Sequence, residues 1–512
     1  MNVDSHPTNK VLVAPGRTSK EYELKAGSRL VQIAAKTKAM SAEPEETRFH
    51  QYRDKPAKLW TQCLGDNKTM NQSRRSFLKH SAATAAVGSF AAPGILGAKS
   101  PNAKLNIASI AVGGRGWADV NGAAKGHNLV AFCDVMTGVS TRKGGYAAAA
   151  KQWPKARRYQ DWRKLLDESG DIDAITISTP DHMHALPTLA AATLGKHVFT
   201  QKPLTHTIHE SRTLLIETRR LGVATQMGIQ NQSTVGHRTA VAMIQSGLIG
   251  KIKEAHGWSH KGWAGPKEGR PDHADKIPAG LDWDLWLGVA PTRPYAEKIY
   301  QPMNWRGWTD FGSGTLGDMG IHIFEPMVSA LRVAPPVSVE SSGIKPNAET
   351  WQPANKIKYE FTGNQYTATE TLTYFWQDGG AGRPLLSTSK YLPSGLKLPN
   401  QGTLFVGQSG AIVLPHGGKP MVFPDDLLTG YEMPAIEKRG HFENWHEAIQ
   451  TGNPACASFD FAAPLTETVL LGNVAVRFPN QKLNWDSAAL RFTNNDDANS
   501  FVKGDYRTGW EL

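Results

Sequence analysis

The sequence predicts an α/β fold, with a doubly wound parallel sheet followed by an α+β domain on an open, mainly antiparallel sheet. Strand-like and helix-like segments alternate from Lys104 to about Thr200, as βαβ units require. A glycine-rich turn joins the first strand to the first helix. From about Gly228 the segments become longer and more strand-like, with many glycines and tryptophans between them. A chain of 512 residues is too long for one compact core, so we expect domains at 104–227 and 228–512.

Composition argues against a nucleic-acid partner. The formal net charge is +11, but the first hundred residues carry 16 Lys and Arg against 8 Asp and Glu, and the rest carry 41 against 38. The positive charge therefore lies mostly in the N-terminal segment. Three cysteines, Cys63, Cys133 and Cys456, have no C-x-x-C spacing and indicate no disulfide framework. No cluster of His, Cys and Asp has metal-ligand spacing, so we expect no metal site.

An export signal lies at an unusual distance from the N-terminus. Residues Ser73–Lys79 match the twin-arginine pattern, and a weakly apolar, alanine-rich stretch follows over 82–98. That stretch is too short and too weakly apolar for a stable membrane span, so we interpret 70–98 as a cleavable signal peptide for export to the periplasm. The alternative is an amphipathic surface helix. Residues 1–69 are polar and aperiodic, which indicates a misassigned translation start or a disordered extension.

The first strand leads into a glycine turn of the kind that holds a dinucleotide. Residues 104–112 form an apolar strand, followed by the Gly-Gly-Arg-Gly run at 113–116 and a helical stretch. In such a turn, backbone N–H groups and a helix N-terminus face a pyrophosphate. Ala111 stands where G-x-G-x-x-G has its first glycine. A glycine turn before any helix would look alike, so the motif needs support from elsewhere in the chain.

Asp134 supplies that support. It follows the second strand, 128–133, and lies 18 residues after Gly116, near the spacing at which a carboxylate meets the adenosine ribose hydroxyls. A carboxylate there accepts hydrogen bonds from the ribose diol and repels a 2′-phosphate. The sequence therefore predicts NAD as the cofactor, with NADP less favoured. The alternative is that Asp134 only caps a helix beginning near Thr137.

Two further segments follow predicted strands at the sheet edge where ligands bind. Residues 179–184 (TPDHMH) follow one strand, and residues 201–203 (QKP) follow the next. His182 is equally well interpreted as a packing residue, so only His184 is carried forward. The residues assigned to the cofactor site on these grounds are Gly113, Gly114, Arg115, Gly116, Asp134, Thr179, Pro180, His184, Gln201 and Lys202.

The informative part of the second domain is the glycine-rich segment 312–322 (GSGTLGDMGIH). A helix beginning near Thr315 puts Asp318 and His322 four residues apart on one face. A carboxylate and an imidazole so placed orient each other for proton transfer. The alternative is that Asp318 is a first-turn residue that interacts with the helix dipole.

In this order, the motifs resemble the Gfo/Idh/MocA family, which includes glucose-fructose oxidoreductase and inositol dehydrogenase. The likeness rests on the glycine turn, Asp134, the Thr-Pro-x-x-x-His stretch ending at His184, the Lys-Pro pair and the D-x-x-x-H helix. It implies an N-terminal Rossmann domain, a C-terminal sheet whose exposed face often mediates oligomers, and a substrate held between them. It also implies that Lys202 contacts the substrate hydroxyl, Asp318 binds substrate or orients its neighbour, and His322 is the acid or base.

One position departs from the family pattern. Gln201 stands where Glu-Lys-Pro is common. Losing a carboxylate beside Lys202 either lowers the affinity of that lysine for its proton, which suits a base, or alters substrate choice.

The motifs and the resemblance together predict an NAD-dependent oxidoreductase that transfers a hydride between nicotinamide and a sugar or polyol hydroxyl. An NAD-dependent glycoside hydrolase, which oxidises a sugar transiently and eliminates the aglycone, needs the same motifs. A non-catalytic sugar-binding protein is disfavoured by the intact Lys202, Asp318 and His322. Asn304 and Arg306 are further candidates for facing the substrate, and no single tryptophan is assigned. The expected partners are a small carbohydrate or polyol and further copies of the chain, without nucleic acid or a stable membrane span.

Overall fold

The computed structural model describes residues 104–140, 142–333 and 335–511. The predicted signal peptide, 70–98, and the extension, 1–69, lie outside the described residues. Among the helices of the described ranges, none has the length and apolar character needed to cross a membrane.

The first sheet is parallel, as predicted, and has six strands. They are β1 (Asn106–Ile110), β2 (Asn128–Cys133), β3 (Arg157–Tyr159), β4 (Ala174–Ile177), β5 (His197–Thr200) and β6 (Thr225–Met227). The strand order is β3-β2-β1-β4-β5-β6, and every neighbouring pair is parallel. The order reverses between β1 and β4, and doubly wound sheets bind ligands in the crevice outside the carboxyl ends of the strands at that point.

Helices connect these strands and cover the sheet. They are α1 (Arg115–Ala123), α2 (Tyr146–Gln152), α3 (Trp162–Asp167), α4 (Ala185–Thr193) and α5 (Ile208–Leu221). Local sequence sets their ends, because Thr207 and Glu210 form a capping box before α5 and Gly222 ends it with a left-handed φ of 65°. The covered strands β1 and β4 are buried along nearly their whole length.

The second sheet is mainly antiparallel, which confirms the predicted architecture. Its strands are β7 (Ile252–Ser259), β8 (Ser338–Ser341), β9 (Lys356–Thr362), β10 (Thr371–Asp378), β11 (Gln401–Gly407), β12 (Ala411–Pro415), β13 (Met421–Phe423), β14 (Lys482–Asp486) and β15 (Arg491–Phe492). Their order is β13-β12-β11-β7-β10-β9-β8-β14-β15, in which β7 and β10 run parallel and the other neighbours antiparallel.

Helices from the second half of the chain pack on this sheet and on the first one. They are α6 (Val235–Gln245), α7 (Trp283–Leu287), α8 (Ile321–Leu331), α9 (His441–Thr451), α10 (Phe459–Ala475) and α11 (Asp496–Asn499). Phe324 of α8 contacts Tyr374 of β10, with ring centroids 4.2 Å apart. Alternate residues of β9 and β10 are buried, because one face of the sheet is covered by helices such as α8.

The C-terminal half also completes the core of the first sheet. Phe442 in α9 stacks on Phe199 of β5, with ring centroids 4.7 Å apart, and Trp445 contacts the same ring at 5.6 Å. The backbone N–H of Met227 donates to the carbonyl of Ala457. The last strand of the first sheet ends at Met227 and the second sheet begins at Ile252. A helix far along the chain, α9, is nevertheless part of the core of the first sheet.

The segment between β7 and α8 returns to the first sheet. Met136 pairs with Leu281 in an isolated bridge, and the N–H of Asp282 donates to the carbonyl of Val135. Its aromatic side chains pack into one buried cluster, which includes Trp283, Trp286, Trp305, Trp308 and Phe311. Most tryptophans of this segment therefore serve packing.

Candidate active site

The glycine turn has the backbone that close approach requires. Gly114 has a φ of 60° and precedes α1, whose first turn carries no side-chain cap. A Cβ on Gly116 would lie 2.1 Å from the carbonyl oxygen of Ala111, so only glycine fits there. Ala111 has a left-handed φ of 66°, the conformation for which the family motif uses glycine. The uncapped helix N-terminus suits an anion.

Asp134 joins the ends of β1 and β2 beside this turn. Its two carboxylate oxygens accept hydrogen bonds from the N–H groups of Val112 and Met136, both at 3.0 Å. Burial raises the pKa of Asp134, and these N–H donors oppose that shift. Among the described residues, the next helix after β2 is α2, which begins at Tyr146, so no helix of this part of the chain begins near Thr137. The interpretation of Asp134 as a helix cap is therefore wrong, and its carboxylate retains acceptor capacity for a ribose.

Arg115 and Gln201 converge on a residue that sequence reasoning missed. The carboxylate of Asp119, on α1, is fully buried and accepts hydrogen bonds from Gln201 Nε2 at 2.8 Å, Ser178 Oγ at 2.9 Å and Arg115 Nε at 3.1 Å. Burial raises the pKa of Asp119, and the Arg115 charge opposes that shift. The uncharged Gln201 thus has a carboxylate beside it from another element. The sequence signal was only an acid four residues after Arg115.

The loop after β4 is tied to the loop after β5 by His184. Its ring nitrogens lie 2.7 Å from the carbonyl oxygen of Pro203 and 2.9 Å from that of Thr179, and the side chain is buried. The Thr179 hydroxyl donates to the carbonyl of Met183, within the loop that Pro180 begins. His182 is also buried, with Nε2 3.1 Å from the carbonyl of Trp286. His184 therefore positions the two loops that carry the other predicted residues.

The side chain of Lys202, from the first domain, contacts the side chain of Asp318, from the second domain. Lys202 Nζ donates to the Asp318 carboxylate and to its backbone carbonyl, both at 2.7 Å. Burial lowers the pKa of Lys202, and the Asp318 charge opposes that shift. The carboxylate is a close ion-pair partner, so the interpretation of Asp318 as a residue that only interacts with its helix dipole is insufficient.

Asp318 has further partners from the segment after β7. Trp263 Nε1 donates to one carboxylate oxygen at 2.6 Å, and Arg306 Nε donates to the other at 3.2 Å. Lys261 Nζ lies 3.7 Å away. Burial alone would raise the pKa of Asp318, but the charges of Lys202 and Arg306 outweigh it and hold the pKa well below its usual range. Asp318 is therefore ionised at neutral pH.

His322 follows Asp318 through a π-helical turn. The turn spans Leu316–Gly320 and runs directly into α8; such turns are frequent at functional sites. The ring centroids of His322 and His416 are 5.1 Å apart. Within the described residues, His322 Nδ1 is buried without a hydrogen-bond partner. Burial, followed by the nearby Lys202 charge, holds the pKa of His322 well below its usual range, so the imidazole is neutral at neutral pH.

The sequence analysis did not identify all the side chains that lie around Asp318 and His322. Lys261 and His416 follow β7 and β12, and no motif marks either of them. Arg306 was only a candidate for facing the substrate, and Asn304, its neighbour, instead donates to the carbonyl of Lys298. No group of three or more His, Cys, Asp or Glu side chains within the described ranges is arranged to hold a metal ion.

The fold and the site define a class: a doubly wound nucleotide-binding domain whose site is completed by a mixed-sheet domain. Residues 109–229 match the family model described as oxidoreductase family, NAD-binding Rossmann fold. Residues 235–366 match the model described as oxidoreductase family, C-terminal alpha/beta domain. Both models describe domains of the Gfo/Idh/MocA family, so the two segments are similar to the family that the sequence motifs resemble, and the first segment matches its NAD-binding domain.

Curated relatives match parts of the chain. Levoglucosan dehydrogenase of Pseudarthrobacter phenanthrenivorans is 24% identical over 212 residues, 41% of this chain and 44% of that protein. Scyllo-inositol 2-dehydrogenase (NAD(+)) of Bacillus subtilis is 30% identical over 126 residues, 25% of this chain and 36% of that protein. The chain thus spans less than half the length of these relatives.

Solved structures share the fold. Levoglucosan dehydrogenase in complex with NADH and levoglucosan has a TM-score of 0.51 at 17% identity, covering 75% of this chain and 99% of that one. The WlbA dehydrogenase from Bordetella pertussis in complex with NADH and UDP-GlcNAcA has a TM-score of 0.51 at 13% identity, covering 75% and 99%. At such identities the likeness concerns the fold alone.

Proposed function

We propose that the protein is an NAD-dependent oxidoreductase that transfers a hydride between nicotinamide and a hydroxyl-bearing carbon of a sugar or polyol. The contact between Lys202 and Asp318, at the carboxyl edge of an NAD-binding Rossmann sheet, carries this proposal. It joins a charged donor from one domain to a carboxylate from the other, at the crevice where such sheets bind ligands. Relatives named for levoglucosan and scyllo-inositol support a sugar or polyol as the substrate.

The first domain fits the cofactor. The Gly114 turn and the uncapped start of α1 suit the pyrophosphate, and Asp134 has acceptor capacity for the adenosine ribose. A Cβ on Gly113 would be in ordinary van der Waals contact with Gly145 and Ser140, at 3.7 Å from each, so these neighbours do not by themselves require a glycine there. When bound, NAD supplies the hydride acceptor at nicotinamide C4.

Each side chain of the site has a separate role in removing the hydroxyl proton. His322, with a pKa lowered by burial, is neutral and accepts the hydroxyl proton. Lys202 donates a hydrogen bond to the substrate oxygen and stabilises the negative charge that develops there. Asp318 stays ionised and holds Lys202 in place. His184 ties the loop that carries Lys202 to the loop after β4.

A sugar panel tests this function after mass spectrometry has identified small molecules bound to the purified protein. Each free sugar and its p-nitrophenyl glycoside is followed for NADH formation and for aglycone release. We expect NADH formation with a free sugar. Aglycone release without net NADH formation would show an NAD-dependent glycoside hydrolase and not a dehydrogenase. If no substrate gives NADH or aglycone, both proposed activities are contradicted.

We propose further that the protein is exported through the twin-arginine route and that the signal peptide is removed. Residues Ser73–Lys79 and the apolar stretch 82–98 support this proposal. The route carries folded proteins, which suits an enzyme that leaves with its cofactor bound. N-terminal sequencing of periplasmic protein is expected to find a start after the alanine-rich stretch. A mature chain that retains residues 1–69 would contradict the proposal.

We also propose that the exposed face of the second sheet associates with another copy of the chain. Phe375 on this face is only partly buried and stacks on His256 of the neighbouring strand, with ring centroids 4.9 Å apart. Analytical ultracentrifugation is expected to give a discrete oligomer that Phe375→Glu dissociates. A wild-type monomer at micromolar concentration would exclude this association.

A further inference from the structure

The charge around Asp318 is unbalanced. Lys202, Arg306 and Lys261 approach its carboxylate at 2.7, 3.2 and 3.7 Å. One carboxylate cannot neutralise three cations. Asp181 lies near enough to Lys202 to influence it, but it is buried and accepts a hydrogen bond from the Ser313 N–H at 3.0 Å. Even with Asp181 counted, cations exceed carboxylates by one in this group.

The side chains of these cations are partly exposed to solvent. The side chains of Lys202, Arg306 and Lys261 are 14%, 20% and 38% exposed, whereas that of Asp318 is 9% exposed. Partial burial strips these cations of some hydration, so an anion from outside binds them more strongly than it binds lysine and arginine on an open surface. The charge balance therefore favours a ligand that carries a negative group.

Arg306 is held in the geometry that recognises a carboxylate. Its guanidinium carbon lies 4.2 Å from the ring centroid of Trp305 and 5.5 Å from that of Trp263. Its Nε is bound to Asp318, and within the described part of the chain the terminal NH₂ groups have no hydrogen-bond partner. A guanidinium fixed by aromatic rings and one carboxylate presents its remaining donors as a planar fork, which fits a second carboxylate.

Lys261 adds a second cation, which lies beside the other carboxylate oxygen of Asp318. Its ammonium contacts Met319 Sδ at 3.2 Å, a weak acceptor, and is 3.7 Å from the Asp318 carboxylate. An ammonium has three donors, so Lys261 retains capacity for an anionic oxygen. Lys202 and Arg306 contact the same carboxylate oxygen of Asp318, and groups bound by these two residues are close enough to lie on one sugar ring.

We propose that the substrate is an acidic sugar, a uronic or aldonic acid, whose carboxylate is bound by Arg306 and Lys261 while its reacting hydroxyl faces Lys202 and His322. This proposal rests on the proposed oxidoreductase function. In the reaction the carbon-bound hydrogen leaves with two electrons to NAD⁺, which becomes NADH, and the hydroxyl proton passes to His322. The product is the corresponding keto-acid, and the substrate carboxylate is unchanged.

Matched pairs of sugars test the substrate class on the wild-type holoenzyme. Glucose is compared with glucuronate and gluconate, galactose with galacturonate, and glucose 6-phosphate is included as a different anion. We expect kcat/KM for a uronate or aldonate to exceed that for its neutral partner by about a hundredfold, the size of a bidentate charged contact. NADH formation with neutral sugars at equal or higher kcat/KM would overturn the acidic substrate and leave the oxidoreductase function standing. Preference for the phosphate would overturn the carboxylate, and no turnover of any sugar would count against the oxidoreductase itself.

Variants locate the carboxylate site. Arg306→Gln and Lys261→Gln are each expected to raise KM for the acidic sugar about tenfold or more and to reduce the ratio of acidic to neutral turnover. Arg306→Lys, which keeps the charge without the fork, should recover only part of the loss. Lys298→Gln is the matched control, because this lysine lies on the same segment and its ammonium, on a side chain that is 85% exposed, forms an ion pair with Glu297. If folded Arg306→Gln keeps the wild-type ratio of kcat/KM for the acidic sugar to kcat/KM for the neutral sugar, Arg306 does not bind the carboxylate.

Discussion

The cofactor side and the substrate side of the crevice are built in different ways. On the cofactor side, two backbone N–H groups bind the carboxylate of Asp134. Residue 116 has to be glycine because a Cβ there would clash with the carbonyl of Ala111. All these groups lie within one βαβ unit. On the substrate side, Asp318 is held by side chains, among them Lys202 after β5 and Trp263 after β7. Local backbone geometry thus shapes one side, and charge balance between distant segments shapes the other. Substitutions on the substrate side should therefore change turnover more than fold, and the following variants test that contrast.

The largest effect is expected for Lys202→Ala and His322→Ala. Each variant should fold, bind NAD within a few-fold of wild type and lose turnover by about a hundredfold or more, as removal of an acid or base group does. Asp318 keeps Arg306 and Lys261 as partners when Lys202 is lost, so no buried charge is left alone. Steady-state kinetics and NAD titration measure both properties. Lys151→Ala, at an exposed position on α2, is the control, and near-normal turnover in folded variants would refute the roles.

The next effect concerns the buried pair of Asp119 and Gln201. Gln201→Glu puts a second carboxylate within 2.8 Å of the first, and we expect a loss of unfolding free energy of about 3 kcal/mol at neutral pH. Two adjacent carboxylates raise each other's pKa, so the folded variant binds more protons than the unfolded chain. Its stability should therefore fall as pH rises above about 4, the unfolded carboxyl pKa.

A charge-swapped double variant sharpens this test. Asp119→Asn with Gln201→Glu again pairs one carboxylate with one amide, and it should recover most of the lost stability. Denaturant unfolding at several pH values between 4 and 8 gives the comparison. Additive losses in the double variant would show that the two side chains do not act as a pair.

A smaller effect is expected for cofactor choice. Asp134 repels the 2′-phosphate of NADP in a partly dry site, so NAD should bind more tightly by on the order of 1 to 3 kcal/mol. Asp134→Ser should narrow that gap. Asp171→Ser is the matched control, since it removes a carboxylate before β4, at the opposite edge of the same sheet, where Asp171 pairs with Arg157. Equal dissociation constants for both cofactors in wild type would contradict the assignment.

The smallest effect is expected at Ala111. Because its φ of 66° lies in the left-handed region, Ala111→Gly should stabilise the protein by about 1 kcal/mol by relieving strain. The same change at Ala149, in the regular helix α2, should instead destabilise by about 1 kcal/mol. Thermal unfolding of the two variants measures the difference, and a loss of stability in Ala111→Gly would show that the turn is not strained.

The sequence by itself determined the features that are encoded within a few residues. Alternating strands and helices predicted both sheets, and the glycine turn followed by Asp134 predicted the NAD-binding Rossmann domain, because turn sterics and strand ends are local properties. The family resemblance implied that Lys202 and Asp318 both serve the substrate, but it did not predict the ion pair between them. No spacing in the sequence indicates a contact between residues 116 positions apart.

Only the tertiary structure decided which side chains surround those motifs. Asp119 reaches Gln201 across 82 positions, and Trp263 reaches Asp318 across 55. No repeating pattern in the sequence predicts that α9 packs on the first sheet or that Arg306 binds Asp318. A hydrogen bond between distant residues depends on how whole elements pack, so local propensity and motif spacing carry no information about its partner.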